Sequence, residues 1–321
     1  MASSAQQRVV VAGGAGFIGA RLCSRLLARG DHVVCVDNLV TGSRSHVAAL
    51  AARPGFTWVD ADVAESAPVD GTIDAVYNLA CPASPADFGP LAMEILAVGS
   101  AGVRNLAELA AKHSASFLHA STSEVYGDPL VHPQPETYWG NVNPVGPRSV
   151  YDEAKRFGEA MVSAYRRAGL DTRLVRIFNT YGPGMRPDDG RVVSTFVTQA
   201  LAGEPMTIQG SGDQTRSLCF VDDLVDGLVS LMGSDLAGPV NLGSDDERTV
   251  RELAELIRDL SASSSPIVTV AALPDDPAQR RPDLTLARRR LGWDPSTTLP
   301  VGLARTIEWF RSPRPGAPRA G

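Results

Sequence analysis

The sequence predicts an α/β fold, a Rossmann-type doubly wound parallel sheet with a smaller C-terminal lobe, and three observations predict it. Short apolar runs alternate with helix-period segments along the first half of the chain. A glycine cluster, Gly13-Gly14-Ala15-Gly16-Phe17-Ile18-Gly19, directly follows the first run and opens a helix. The second run ends in an acidic residue, Asp37, at the offset of about 20 residues where a carboxylate meets a ribose diol.

Taken in order, Val9–Ala12, Val33–Val36, Phe56–Val59, Ala75–Ala80 and Phe117–Ala120 read as strands, each bounded by Gly, Asp, Pro or Ser. Phe17–Ala28 and Met93–Lys112 carry helical periodicity between them. Such alternation gives a parallel sheet covered on both faces. A long helix over Tyr151–Arg167 leads into a strand at Arg173–Phe178. Gly182, Pro183, Gly184 and Pro187 then mark a loop, and the smaller lobe begins there. Leu218–Val221, the helix after Asp222 and Val240–Leu242 are predicted to rejoin the large sheet. Residues 1–179 with 217–243 thus form the expected dinucleotide-binding domain, 180–216 with 244–311 the second lobe, and 312–321 a disordered tail.

With 321 residues, 44% hydrophobic and 21% charged, the chain has enough apolar surface for a full core. A net charge of −6 argues against nucleic acid as a partner, because phosphate binding needs a basic face. Arg288, Arg289 and Arg290 read as a solvated helix face. Cys23, Cys35, Cys81 and Cys219 lack metal-ligand or redox spacing and read as buried free thiols of a reducing, cytoplasmic compartment. The first strand starts by Arg8, which leaves no room for a signal peptide, and no apolar run approaches membrane-spanning length.

Two patterns carry chemistry. In the glycine cluster, Gly13 and Gly16 let backbone amides approach a pyrophosphate at the helix N-terminus, and Gly19 permits close helix packing, with Phe17 and Ile18 in the same turn. Asp37, with Asn38 beside it, favours NAD over NADP because its charge repels a 2′-phosphate; Arg44 is the one nearby cation. Asp62 and Val63 after the third strand, and Leu79 and Ala80 after the fourth, stand at strand ends that line a cofactor crevice. The second pattern is Tyr151-Asp-Glu-Ala-Lys155. Of 30 basic residues only Lys112 and Lys155 are lysine, and on a helix Lys155 stacks over the face that carries Tyr151. An ammonium beside a phenol favours the phenolate, a base for a sugar hydroxyl.

These motifs occur in order with NLACPASP (78–85), ASTSEVYGDP (120–129), YWGNVNPVGP (138–147), RIFNTYGP (176–183), DGRVVS (189–194) and QTRS (214–217). With them the chain resembles the extended short-chain dehydrogenase/reductases that remodel nucleotide sugars, and among those the UDP-glucuronate decarboxylases, from about Arg8 to Phe310. The narrow part of the likeness is CPASP, STSEVYGDP and YWGNVNP; the glycine cluster and the Tyr-Lys pair are shared widely.

The resemblance implies an NAD-dependent cycle with no net redox change. Tyr151 removes the 4-hydroxyl proton, Lys155 supports it, Thr122 aligns the hydroxyl, and Ser123 and Glu124 position the ring or relay a proton to C5. It further implies a guanidinium at Arg280 that clamps the sugar carboxylate, with the adjacent Arg281 as the alternative, and UDP contacts from Pro85, Asn179, Arg191, Gln209 with Gly210, and Arg216. Related 4,6-dehydratases carry Asp-Glu after the threonine, where Ser123-Glu124 stands here; 4-epimerases usually have a small residue in place of Glu124. Epimerase or dehydratase is the alternative enzyme reading, and a silent NAD-bound sensor the non-enzymatic one, which an intact Thr122, Tyr151 and Lys155 disfavour. The chain departs from the family over Phe88–Ser100, where Glu94 stands near an expected lysine, and at Gly184, where GPGM replaces GPRM and loosens the hold on an anionic substrate. A homodimer built on the helices near 93–112 and 152–167 is also implied.

Overall fold

A computed structural model describes residues 6–272 and 275–312; the predicted disordered tail falls, beyond Ser312, outside the described residues. The first half alternates as expected: β1 (Arg8–Ala12), α1 (Phe17–Arg29), β2 (His32–Val36), α2 (Arg44–Ala51), β3 (Phe56–Val59), β4 (Ala75–Asn78), α3 (Ala92–Ala97), α4 (Val103–His113), β5 (Ser116–Thr122), α5 (Ser149–Arg167) and β6 (Thr172–Ile177). Then follow β7 (Thr180–Tyr181), α6 (Val192–Ala202), β8 (Met206–Gln209), β9 (Thr215–Ser217), β10 (Cys219–Phe220), α7 (Val221–Met232), β11 (Val240–Leu242), β12 (Glu247–Thr249), α8 (Val250–Leu260), β13 (Ile267–Val270) and α9 (Leu299–Arg311).

Seven strands form one parallel sheet in the order β11-β6-β5-β4-β1-β2-β3. The order reverses at β1, so the strands' carboxyl ends leave a crevice between β1 and β4. Val9, Val10 and Val11 are all fully buried because helices cover both faces. Val9 and Val11 face a cluster with Leu22, Leu26 and the α7 side chains Leu224 and Leu228. Val10 faces the other, with Val103, Leu106 and Val162 from α4 and α5. Each such side chain contributes about 1.5–3 kcal/mol on burial. A third core joins α6, α8 and α9 through Phe196, Val197, Leu253, Ile257, Leu303 and Ile307. Leu284, Ala287 and Trp293, late in the chain, pack into the first cluster instead.

Two expectations need correction. Leu218–Val221 does not rejoin the large sheet: Cys219 and Phe220 pair in parallel with Thr180 and Tyr181 in a separate two-stranded patch. Val221 already opens α7, whose apolar face is buried, so no residues are left to extend a strand. The Met93–Lys112 helix is likewise not uniform, since a π-helical turn at Val98–Gly102 separates α3 from α4. A side chain at Gly99 would stand 2.7 Å from the Cβ of Ala154, so the turn brings α5 against its backbone.

The turn after β1 is equally close. Gly13 has φ +77°, and a Cβ there would lie 2.8 Å from the backbone of Leu79 and Ala80. A Cβ at Gly19 would sit 2.0 Å from the Gly13 carbonyl oxygen. Gly19→Ala is therefore expected to lower stability by about 1–3 kcal/mol and to weaken NAD binding at least tenfold, read by denaturant unfolding and by calorimetric titration.

Candidate active site

A cavity of about 870 Å³ opens between the carboxyl ends of the large sheet and the C-terminal lobe. Of the residues singled out from sequence, Gly13, Gly16, Phe17, Ile18, Gly19 and Leu79 line it from one side, and Pro85, Asn179, Arg191, Gln209, Arg216 and Arg280 from the other. Thr122, Glu124, Tyr151 and Lys155 form its floor. Ser123 stands just behind, buried. Asp37, Asn38, Asp62, Val63, Ala80 and Gly210 do not line it.

The last group holds the walls. Asp37 Oδ2 accepts from Ala15 N in the glycine turn at 2.9 Å, and its Oδ1 from Leu39 N at 2.9 Å. Burial pushes its carboxyl up in pKa, while those two amides pull it down. A carboxylate offers about four acceptor positions, so room remains for a ribose hydroxyl. Asn38 Oδ1 accepts from Val40 N at 3.2 Å, and Asp62 Oδ1 from Ala64 N at 2.8 Å. Val63 is a core side chain packed among Val98, Val103 and Leu106. Ala80 contributes the backbone that excludes a side chain at Gly13.

Thr122 ends β5, and its hydroxyl caps the following 3₁₀ turn Ser123–Tyr126 by accepting from Glu124 N at 3.2 Å. Tyr151 stands in the first turn of α5, 6% exposed, with its ring stacked on Phe88 at 4.9 Å. Burial raises its pKa; Cys81 and Glu124 add to that, while a hydrogen bond from Thr122 and the charge of Arg191 oppose it. Lys155 Nζ lies 5.7 Å from the Tyr151 ring centroid and donates to Ala120 O at 2.9 Å. The phenol is therefore protonated in the bare chain, and deprotonation waits on added positive charge.

Glu124 is held by two guanidiniums. Its Oε2 accepts from Arg148 Nη2 at 2.7 Å, and its Oε1 lies 3.1 Å from Arg280 Nη1. Burial pushes the Glu124 carboxyl up, but Arg280 and Arg148 outweigh it and bring the pKa down to about 2. Arg280 is 1% exposed and also donates to Ser123 Oγ and to Gly127 O, both at 3.0 Å, while its Nε has no partner. Geometry thus separates it from Arg281, whose side chain is 38% exposed, faces Glu247 at 3.9 Å and does not line the cavity. Two cations sharing one carboxylate leave one unit of positive charge at the floor, a match for an anionic sugar. Arg216 pairs with Asp276 at 2.8 Å, and Arg191 with Asp189 at 2.6 Å.

Several lining residues escaped the sequence reading. Arg148 was legible in principle, since it lies three before Tyr151 on the same helical face. Phe88 comes from a loop and had no local signal, whereas Cys81 opens the CPASP segment, where it was given no role in the site. Arg186 reaches Asp87 at 3.0 Å across the cavity mouth and brings a cation beside Gly184. Glu94 is exposed on α3 and does not line the cavity, so its replacement of an expected lysine leaves the floor unchanged. The four cysteines are free; Cys81 alone is only partly buried. Arg288 and Arg290 pair with Asp245, Asp294 and Asp235 at the surface.

A model of the NAD dependent epimerase/dehydratase family matches residues 9–243. The chain belongs to that family. UDP-glucuronic acid decarboxylase 1 of Arabidopsis thaliana is 47% identical over 306 residues, spanning 95% of this chain and 70% of that protein. The enzyme of the same name from Danio rerio is also 47% identical, over 95% of this chain and 73% of its own length. Among solved structures, the dTDP-glucose 4,6-dehydratase of Streptomyces venezuelae with NAD bound superposes with a TM-score of 0.85 at 29% identity, over 95% of this chain and 97% of that one. The glycine cradle fits the dinucleotide of the epimerase/dehydratase family: side chains are sterically barred at Gly13 and Gly19, and α1 presents its N-terminus there. No described helix is long and apolar enough to cross a membrane, and no described cluster of side chains is suited to hold a metal ion.

The Glu124 triad sets an acid limb. A carboxyl whose pKa falls from 4.5 to about 2 on folding adds stability above about pH 4.5 that is lost as pH drops toward 2. Glu124→Gln is expected to cost about 3 kcal/mol at neutral pH, because it strands the buried Arg280 and the half-buried Arg148. The gap between variant and wild-type unfolding midpoints should close as the titration approaches pH 2.

Proposed function

We propose that this chain converts UDP-glucuronate to UDP-xylose and carbon dioxide, as a carboxy-lyase using bound NAD with no net redox change. The observation that carries the reading is the buried Arg280, which lines the cavity with Thr122 and Tyr151 and is held there by Glu124, Ser123 and Gly127. Arg280 and Arg148 share the single charge of Glu124, so a sugar carboxylate is the substrate group that balances the remaining positive charge. The decarboxylase relatives at 47% identity support the same substrate.

In this reading residues 1–179 with 217–243 hold the cofactor, and 180–216 with 244–311, apart from the stretch around Leu284–Trp293 that packs on the large sheet, hold the UDP-sugar. The glycine cradle and Asp37 seat the dinucleotide, which when bound supplies the acceptor and later the donor of the C4 hydride. Tyr151 would take the proton of the 4-hydroxyl once the positive charge of a bound nicotinamide added to that of Lys155 and Arg191 against the burial that disfavours its phenolate. Thr122 aligns that hydroxyl. The 4-ketone so formed lies β to the C6 carboxylate, so carbon dioxide leaves and its electron pair passes into an enolate. Arg280 clamps the carboxylate before loss, and Ser123, bonded to it, fixes its direction. Glu124 keeps both arginines in place and, ionised, positions the ring without donating a proton. Asn179, Arg191, Gln209 and Arg216 line the part of the cavity assigned to the UDP, Arg186 standing in for the charge missing at Gly184.

The reading extends to assembly and place. Met93 is 72% exposed, Phe157 52% and Leu96 40%, on α3 and α5, an apolar set suited to a homodimer built on these helices. Free thiols and the absence of a described membrane helix support a cytoplasmic protein.

Incubation with UDP-glucuronate is expected to release one carbon dioxide per UDP-xylose; UDP-galacturonate with no gas would mean an epimerase. Tyr151→Phe and Arg280→Ala should each lower kcat by about 10²–10⁴-fold while NAD binding persists, and near-wild-type rates would withdraw the corresponding role. Phe157→Glu should convert the dimer to monomer in light scattering.

A further inference from the structure

The decarboxylation proposed above consumes one proton at C5, and the residues already assigned do not provide it. Tyr151 carries away the proton of the 4-hydroxyl and must return it to the same oxygen when the ketone is reduced. Glu124 is ionised between Arg148 and Arg280, arginine does not deprotonate in proteins, and Ser123, whose Oγ accepts from Arg280, is too weak an acid to supply a net proton. A separate store is required.

Behind the floor lies a second cavity of about 280 Å³, with Asp152, Asp128, Asn143 and Asp275 in its lining. Glu124, Arg148, Asp276 and Pro277 line both cavities and so form the partition between them. Asp128, Asn143 and Asp275 are exposed, so the cavity opens to solvent on their side and has room for several waters. Asp152 is the buried end: it stands next to Tyr151 in the first turn of α5, 5% exposed, and its Oδ1 has no hydrogen-bond partner. An unpaired polar atom at that depth calls for a water or a proton.

We propose that Asp152 is the proton store for C5, passing its proton through waters of the side cavity past the Glu124–Arg148 pair to the enolate left when carbon dioxide departs. The O–H bond of Asp152 breaks and a C5–H bond forms from the enolate's electron pair, which restores the 4-ketone. Solvent then reprotonates the carboxylate through the mouth at Asp128 and Asn143. The charges facing Asp152 suit the role. Burial disfavours its ionised form, Glu124 after β5 and Glu153 on its own helix add to that, and Arg148 and Arg280 oppose it, leaving the pKa at about 7. Asp128, Asp275 and Asp276 face the same cavity. A group balanced there holds its proton below about pH 7, loses it above, and is matched to proton transfer at neutral pH.

The assignment rests on the decarboxylase reading, and the test separates the two. Absence of carbon dioxide from the wild type would sink the reading itself. With wild-type gas release in place, Asp152→Asn should lower kcat at least tenfold and leave KM within about threefold. The first turnover of carbon dioxide should proceed at the wild-type rate, because only the later protonation is slowed. The wild-type fall in kcat above about pH 7 should vanish in this variant, and Asp152→Glu should restore part of the rate. Independently of activity, wild-type stability should decline between pH 4 and pH 8 relative to that of Asp152→Asn, since the unfolded chain ionises this group more readily. Asn143→Trp, placed at the exposed mouth to exclude water, should reproduce the slow protonation without touching α5. Wild-type kcat and pH profile in both variants would overturn the assignment, as would loss of the first carbon dioxide turnover in Asp152→Asn.

Discussion

One carboxylate between a buried and a half-buried guanidinium holds this site together. Arg148 opens α5, Glu124 follows β5, and Arg280 arrives from a segment more than a hundred residues later. Taking three charges out of water is unfavourable unless every group finds partners, and here Ser123 Oγ and Gly127 O satisfy much of what Glu124 leaves. The triad therefore fixes the register between Thr122, two residues before Glu124, and Tyr151, three after Arg148. It also leaves one positive charge beside the cavity, where the proposed function places the sugar carboxylate.

Close backbone approach does the rest of the positioning. The glycine turn after β1 packs against the end of β4, with no space for a side chain at Gly13 or Gly19. On the opposite side of Tyr151, Gly99 in the π-helical turn lets α5 settle against the preceding helix, while Phe88 stacks on the phenol. Both devices trade side-chain volume for proximity, and both bring chemistry-bearing residues to the carboxyl ends of parallel strands, where the reversal of strand order opens a crevice.

Much of this was legible in the chain because it is local. Strand and helix periodicity, a glycine turn between β1 and α1, and a Tyr-Lys pair one helical turn apart are all written within short windows. What was not legible depends on contacts between distant segments. The short run at Leu218–Val221 has the composition of a sheet strand, and only the early start of α7 diverts it into a pair with β7. Arg280 and Arg281 are indistinguishable in sequence and separate only through burial. Asp152 carries no local signal in the chain; the proposed role depends on a cavity assembled from four separate stretches of chain. Asp62 and Val63 sat at the right strand end, yet the first caps a turn and the second fills the core.

If oxidation at C4 comes before loss of the neighbouring carboxyl group, UDP-glucuronate deuterated at C4 must release carbon dioxide more slowly than the unlabelled sugar in a single turnover, with transient absorbance of reduced nicotinamide and the label back at C4 of the pentose. Equal single-turnover rates with no reduced nicotinamide at any time would rule that order out.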